Sequence, residues 1–381
     1  MLVHALAPPT PGGTPVVLHR LLTDLPGVRV EVATNRRLRE RVEAGDSRTL
    51  RAPYHYVLKW PGWGARWKAG RVAVAAIDLV LALVAGLRIA RWSRRTGARW
   101  IMSVTDEGFS VIAGAIAARA ARLPHVIMVF DLWEENAYSE VQRGVAHRLE
   151  PRIFRSAAKV VGYCQEIVDL YRTKHGIEGT YIRTPIEVGP GPAPAVASPA
   201  GEPAELLMAG AVYWVQEEAV RRLLRVADRI DDLRTTIIAD AAQLAAVGIS
   251  ADRVEAPMGA DAFRERVARS DILFMGLSFT SAHPQIPRTG TPARLTDFLA
   301  AERPLLVHAP PDSHLAHYCR AADLAEVVDT PDEAALEAAV RRLLDEPQPA
   351  LERARRARAH LERVHDAPLV RESFAAILRG L

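Results

Sequence analysis

A chain of 381 residues with 49% hydrophobic and 25% charged side chains has room for two cores of ordinary domain size, and is neither disordered, fibrous nor built on disulfides. A net charge of +4 and a pI near 9.2 are mildly basic for this length and single out no nucleic-acid partner. Cys164 and Cys319 stand too far apart for a disulfide framework or a metal site, so both are expected as buried thiols in a reducing cytoplasm.

The chain opens on an apolar run, Leu2 to Leu6, without a basic region or a cleavage site, which predicts a first strand rather than a signal peptide. A Pro/Gly-rich loop follows, then a helix over Val16 to Leu25. Gly12 and Gly13 let backbone come close to a ligand where a side chain would collide, although paired glycines after proline also make a plain turn. The pattern G-x-G-x-x-G is absent here, which argues against a nicotinamide or flavin enzyme.

Val28 to Ala33 reads as a second strand. Lys59, Arg66, Lys68 and Arg71 then interleave with Trp60, Trp63 and Trp67, the composition of a membrane-interface surface and equally of a protein interface. Val72 to Leu87 contains Asp78 and falls short of the roughly 20 apolar residues of a spanning helix, so a buried helix is expected, with its end near a bilayer surface as the sharper option. Strands over Trp100 to Val104 and His125 to Phe130 flank an alanine-rich helix over Phe109 to Ala121, an alternation that calls for a parallel sheet. Asp131, Glu134 and Glu135 come just past that strand, where open α/β sheets bind ligands; an acidic turn capping the next helix is the alternative. Helices over Val145 to Ser156 and Glu166 to His175, and strands over Lys159 to Tyr163 and Thr180 to Arg183, complete this half.

Pro185 to Glu205 is rich in proline, glycine and alanine and reads as a linker, so the expected organisation is a first domain over 1–184, a linker over 185–205, a second domain over 206–364 and a terminal helix over 365–381 that packs back on the first. Leu206 to Ala209 opens the new sheet and ends at Gly210, with a helix from about Glu217 to Ile230. Thr235 to Ala239, a short strand at Val254 and Asp271 to Gly276 continue the alternation, with Met258 read by its type as a core residue. Arg288, Thr289 and Gly290 stand in a polar loop before Thr291 and Pro292, a hydroxyl followed by proline that predicts a helix start. Leu295, Phe298 and Leu299 make one apolar face, and Arg303-Pro304 stops the helix before a buried run, Leu305 to Ala309. Arg294 and Asp297 lie one turn apart, off that face and beside first-turn amides able to hold an anion; a capped surface helix with a solvated Arg/Asp pair is the alternative. His308, His314 and His317 lack ligand spacing, so no metal is expected. Helices over Asp332 to Leu344 and Leu351 to Arg363 precede the amphipathic end, Leu369 to Leu381.

The stretch TPARLTDFLAAERPLL resembles the donor-binding element of the family-four glycosyltransferases of the GT-B fold, in a bacterial pattern close to Pro-[Ser/Thr]-Lys-Leu-x-[Asp/Glu]-Tyr-Leu-Ala-x-Gly-[Lys/Arg]-Pro-[Ile/Val]-Leu. Asp131-Leu132-Trp133-Glu134-Glu135 is similar to the Asp-Leu-Trp-Pro-Glu of the same subgroup. The resemblance implies an α/β protein of two Rossmann-like domains facing across a cleft. It also implies an enzyme of the hexosyltransferase class (EC 2.4) that moves a sugar from a nucleoside diphosphate sugar to a lipid-linked or small acceptor, with retention and with neither metal nor cofactor. By that match Asp297 holds the ribose, Thr291 and Arg294 lie near the phosphates, and Gly12, Gly13, Gly210, Arg288, Thr289 and Gly290 cradle the diphosphate and sugar. Met258 lies by the nucleobase, and Asp131 and Gly13 serve the reacting centre. Where relatives carry a second glutamate, eight residues before Asp297, this chain has Thr289; where they carry Gly-Arg-Leu and a lysine, it has Gly210-Ala211-Val212 and Gln216. Arg294, Arg288 or the amides at Glu217 are the substitutes for those cations. An epimerase of the same fold and a non-catalytic nucleotide-sugar-binding protein are the other classes. An anionic membrane surface is a further expected partner, with the protein in the cytoplasm and peripheral at the inner membrane face.

Overall fold

Two parallel sheets organise the chain in the computed structural model, which describes residues 1–10, 12–57, 71–105, 109–136, 140–189 and 202–381. Lys59, Trp60, Trp63, Arg66, Trp67 and Lys68 lie outside the described residues, as do positions 190–201 of the Pro/Gly-rich stretch. The chain divides into two units, Met1–Pro185 with Ala367–Leu381, and Ile186–Asp366.

The first unit runs β1 (Leu2–Val3), α1 (Gly13–Leu22), β2 (Val32–Thr34), α2 (Arg39–Glu43), β3 (Tyr54–Tyr56), α3 (Arg71–Thr96), β4 (Ile101–Val104), α4 (Phe109–Ala121), β5 (His125–Val129), α5 (Glu140–Arg155), β6 (Lys159–Gly162), α6 (Gln165–His175) and β7 (Thr180–Tyr181). Its seven strands are ordered β3-β2-β1-β4-β5-β6-β7, so the winding reverses between β1 and β4. The central strands are buried on both faces, as helices on both sides of a parallel sheet require: Val126, Ile127, Met128 and Val129 are all 0% exposed.

α3 departs from the expected buried helix. Ala85, Ile89 and Ala90 pack against α4 and Ala82 is buried, while Ile77, Leu79, Val80, Leu83 and Leu87 on the other side are exposed. Small residues on one face let the two helices approach closely, and the larger side chains are left outside. Asp78 accepts a hydrogen bond from Gln142 Nε2 at 3.2 Å.

The second unit runs β8 (Ala204–Ala209), α7 (Glu217–Ala227), β9 (Leu233–Ile238), α8 (Ala241–Ala246), β10 (Arg253–Glu255), α9 (Ala260–Val267), β11 (Ile272–Gly276), α10 (Gln285–Thr289), α11 (Leu295–Ala300), β12 (Leu305–His308), α12 (His314–Ala321), β13 (Glu326–Val328), α13 (Glu333–Asp345) and α14 (Pro347–Val364). Its sheet is ordered β10-β9-β8-β11-β12-β13, and the winding reverses between β8 and β11. α11 begins later than Thr291-Pro292 suggests. Pro292 O accepts from Leu295 N in a tight turn, the first full helical bond runs from Phe298 N to Arg294 O, and Thr291 Oγ1 is buried without capping anything. The final helix, α15 (Ala367–Arg379), belongs to the first unit: Phe374 lies in that core and Arg371 Nε donates to Arg20 O at 2.9 Å. Cys164 and Cys319 are buried free thiols.

In each unit burial opposes the charge of a histidine, most strongly at His125 and at His308. His125 shares a 2.7 Å hydrogen bond with Ser103 Oγ, and burial pushes its pKa down from 6.5 to about 4; in the second unit burial first, then Arg222, pushes His308 down to about 4. The neutral ring is the native form, so stability is full above the unfolded value near 6.5 and is lost as pH falls from there toward 4, by roughly 3 kcal/mol per histidine. Urea unfolding of wild type and His125→Gln at pH 7 and pH 4.5 checks this: the variant should lose less of its stability on acidification, and an equal loss would remove His125 from the account.

Candidate active site

Ligands of doubly wound sheets bind outside the carboxyl ends of the strands, where the winding reverses. Each unit carries a polar cluster at that place.

In the second unit, β8 ends at Ala209 and the chain turns at Gly210 with φ +114°, a conformation that side chains rarely adopt. The absent side chain leaves the space that the Arg294 guanidinium occupies: a Cβ on Gly210 would stand 1.4 Å from Arg294 Nη1. Nη1 donates to Ala209 O at 2.8 Å. Burial lowers the Arg294 pKa, opposed by Asp297 and Tyr213, so the cation lies between a turn of backbone and a carboxylate. Asp297 is 7% exposed, and with Thr296 also buried α11 is enclosed on all sides rather than on the single apolar face expected. The solvated Arg/Asp pair is therefore not what forms.

The other expected donor residues are spread along the same end of the sheet. Thr289 Oγ1 donates back to Gln285 O at 2.9 Å, whereas Arg288 is exposed, with Nε 3.9 Å from Asp312. A Cβ on Gly290 would stand 3.0 Å from Ile286 O, and Thr291 stands in the turn before α11. Met258 is half-buried against the core of the unit. Arg222, a cation on α7, is already occupied: it donates to Glu218 at 2.7 Å, lies 3.2 Å from His308 and covers the Phe279 ring.

Two residues that the sequence reading passed over stand beside this cluster. Tyr213 and Trp214 are each 44% exposed in the turn after Gly210, ring edge against ring face at 6.3 Å. Two adjacent aromatics just past the end of a strand are the one signal in the sequence that could have marked them.

In the first unit, Gly12 caps α1 with φ 130°, and Gly13 is the first residue of that helix, not part of a loop. Asp131 follows β5. Its side chain is exposed, yet the protein crowded around the carboxyl raises its pKa, while His4 and the hydroxyl of Thr14 draw it down. His4, at the end of β1, is the residue missed here. Thus Asp131, His4, Thr14 and the start of α1 meet where the winding reverses.

Glu134 and Glu135 do not join them. Both turn to Lys174 Nζ, at 2.7 and 3.1 Å, which also reaches the fully buried Glu150 at 3.1 Å. Nearby, Trp133 stacks on Phe154 and Phe154 on Tyr171. This part of the acidic turn is structural.

No family model and no curated protein matches the sequence. Solved structures do. The Anabaena protein HepE in complex with UDP-glucose matches with a TM-score of 0.71 at 14% identity, over 100% of this chain and 99% of that one. The sucrose-phosphate synthase of Thermosynechococcus elongatus matches with a TM-score of 0.72 at 13% identity, over 100% and 98%. The lipopolysaccharide outer core galactosyltransferase WaaB, solved without ligand, matches with a TM-score of 0.63 at 12% identity, over 100% and 99%. The chain has the GT-B fold. At these identities the likeness speaks for the GT-B architecture of both units and leaves the chemistry to the residues.

Proposed function

We propose that this protein is a glycosyltransferase that takes its sugar from a nucleoside diphosphate sugar. The observation that carries the reading is the Gly210, Arg294 and Asp297 cluster at the reversal point of the second sheet, a half-buried cation and a buried carboxylate where this fold receives ligands. A neighbour of the same fold was solved with UDP-glucose. In this reading Asp297 accepts hydrogen bonds from the ribose, Arg294 meets the diphosphate, and Tyr213 and Trp214 offer apolar faces to the base or sugar. Charge that develops on the departing diphosphate is stabilised by Arg294 and by amides of the turn at Gly290 and Thr291, which follows α10, a metal-independent arrangement. Retention is the stereochemistry that the resemblance of TPARLTDFLAAERPLL supports. Asp297→Ala should weaken nucleotide binding about tenfold to a hundredfold, the usual worth of charge-assisted hydrogen bonds, and unchanged calorimetric affinity would remove Asp297 from the site.

Asp131 is assigned to the acceptor side. A carboxyl with a raised pKa beside a hydroxyl and an imidazole can orient an acceptor hydroxyl and share its proton. Asp131→Asn should lower kcat by about a hundredfold or more with nucleotide affinity unchanged; a matching loss of nucleotide affinity would place Asp131 on the donor instead.

An anionic membrane surface is the partner we assign to α3. No helix among the described residues is long and apolar enough to cross a membrane. Yet along α3 the exposed residues Leu83, Leu87, Arg91 and Arg95 follow one another at four-residue steps, so one helix face passes from apolar to cationic. That is the pattern of a helix lying in the interface of anionic lipid. Sedimentation with anionic liposomes at low salt should carry the wild type down and leave Leu83→Glu/Leu87→Glu in the supernatant; no difference between them would end this assignment.

A further inference from the structure

At the carboxyl ends of β2 and β3, on the edge of the first sheet, a recess of about 610 Å³ is lined by Arg36, Arg39, Tyr56, His55, Arg88 and Trp92. Its size is that of a small-molecule site. The floor is fixed. His55 stacks on Trp92 with ring centroids 5.1 Å apart and lies 2.9 Å from Glu31, and Arg88 Nη1 donates to Val57 O at 2.6 Å. The charge is unbalanced. Glu43 pairs with Arg39 at 2.7 Å, but among the described residues no carboxylate pairs with Arg36 or Arg88. Three guanidiniums therefore line an aromatic-walled recess in which Glu43 pairs with Arg39 and Glu31 is held by His55 and Arg29, leaving Arg36 and Arg88 as the excess cations, an arrangement that suits a phosphate or carboxylate carried on a sugar-like body.

The strand order sets the distance to the reacting centre. From β2 or β3 to β5, after which Asp131 stands, are three or four strand spacings of about 4.8 Å, or about 14 to 19 Å. A single hexose ring is too short to touch both places. We infer that the acceptor is an extended molecule bearing an anionic group, phosphate or carboxylate, held by Arg36, Arg39 and Arg88, remote from the hydroxyl that reacts. This inference rests on the transferase reading and adds the acceptor's chemical class to it.

The test uses the full chain and calorimetric binding at low salt of three probes: a tetrasaccharide ending in a uronic acid, its carboxyl-reduced twin, and a short-chain polyprenyl diphosphate disaccharide. At least one anionic probe should bind wild type about tenfold or more tightly than the neutral twin, with the preference shrinking as salt is added. Arg36→Glu, at an exposed side chain, should abolish that preference and leave affinity for nucleoside diphosphate unaltered; Arg36→Ala/Arg88→Ala is the second variant. Preference for the uronic saccharide alone assigns a soluble carboxylate, and preference for the lipid alone assigns a carrier phosphate. Equal binding of all three by wild type, or a preference that survives both variants, overturns the inference. Nucleotide titration separates the two failures: a protein that binds nucleoside diphosphate but ignores acceptor charge keeps the transferase reading and loses only this one.

Discussion

Gly210→Ala should cost the protein its nucleotide. The new Cβ would stand 1.4 Å from Arg294 Nη1 and 2.4 Å from Cζ, so the guanidinium must leave Ala209 O, and the backbone must hold an alanine at φ +114°. The strain is of the order of 1 to 3 kcal/mol in stability. On ligand binding the effect is larger, because the Arg294 cation swings out of place: we expect a loss of about a hundredfold in affinity for nucleoside diphosphate. Arg294→Ala should lose a similar factor, and the double variant little more than either alone, since both remove the same cation. Independent, additive losses in titration calorimetry would show that Gly210 does not act through Arg294.

Lys174→Met should destabilise the first unit strongly. Lys174 is the cation shared by Glu134, Glu135 and the fully buried Glu150, and His175 Nε2 is 2.8 Å from that same Glu150. Methionine keeps the apolar stem and leaves three carboxylates close together, so the loss is that of a broken buried ion pair, about 3 kcal/mol at pH 7. The pH dependence has a definite sign. Burial pushes the Glu134 carboxyl up, and Lys174 with His147 outweighs it and holds the pKa below 4.5. In wild type that contribution is present above the unfolded value near 4.5 and is lost as pH falls through the lower, folded value. Without Lys174 the Glu134 carboxyl loses its largest opposite charge and takes up a proton more readily, so the variant should close part of its deficit between pH 7 and pH 4.5. Urea unfolding at the two pH values measures both quantities; a loss under 1 kcal/mol at pH 7 would show that water already screens the cluster.

The parallel sheets were legible because Val, Ile and Leu runs such as His125 to Val129 and Leu305 to His308 alternate with helical segments, and both runs are strands. The edge strands were not. Tyr54–Tyr56 is half-buried throughout and Glu326–Val328 is only three residues long, so neither carries an apolar run. Thr291-Pro292 has the local chemistry of a helix start, but Arg294 reaches Ala209, eighty-five positions back in the chain, and the helix begins after it. A local motif cannot report that partner. The same holds for Glu134 and Glu135, whose fate depends on Lys174 three elements later, and for His4, which gains meaning only when the sheet brings β1 and β5 to one end. α3 misled for the opposite reason: its apolar composition gives no sign of which side faces out, and Ile77, Val80 and Leu87 do.

We propose that Asp297 and Arg294 hold a nucleoside diphosphate sugar whose sugar is then transferred. Wild type and Asp297→Ala, incubated with a panel of sugar nucleotides with and without acceptor alcohols and anionic saccharides, give the most direct measurement through the nucleoside diphosphate released and the sugar product formed. We expect one sugar nucleotide to release its diphosphate faster when an acceptor is present, to yield a glycosylated acceptor, and to do neither with Asp297→Ala. Conversion of a sugar nucleotide to an isomer without diphosphate release, or no binding and no turnover of any member of the panel by wild type, would contradict it.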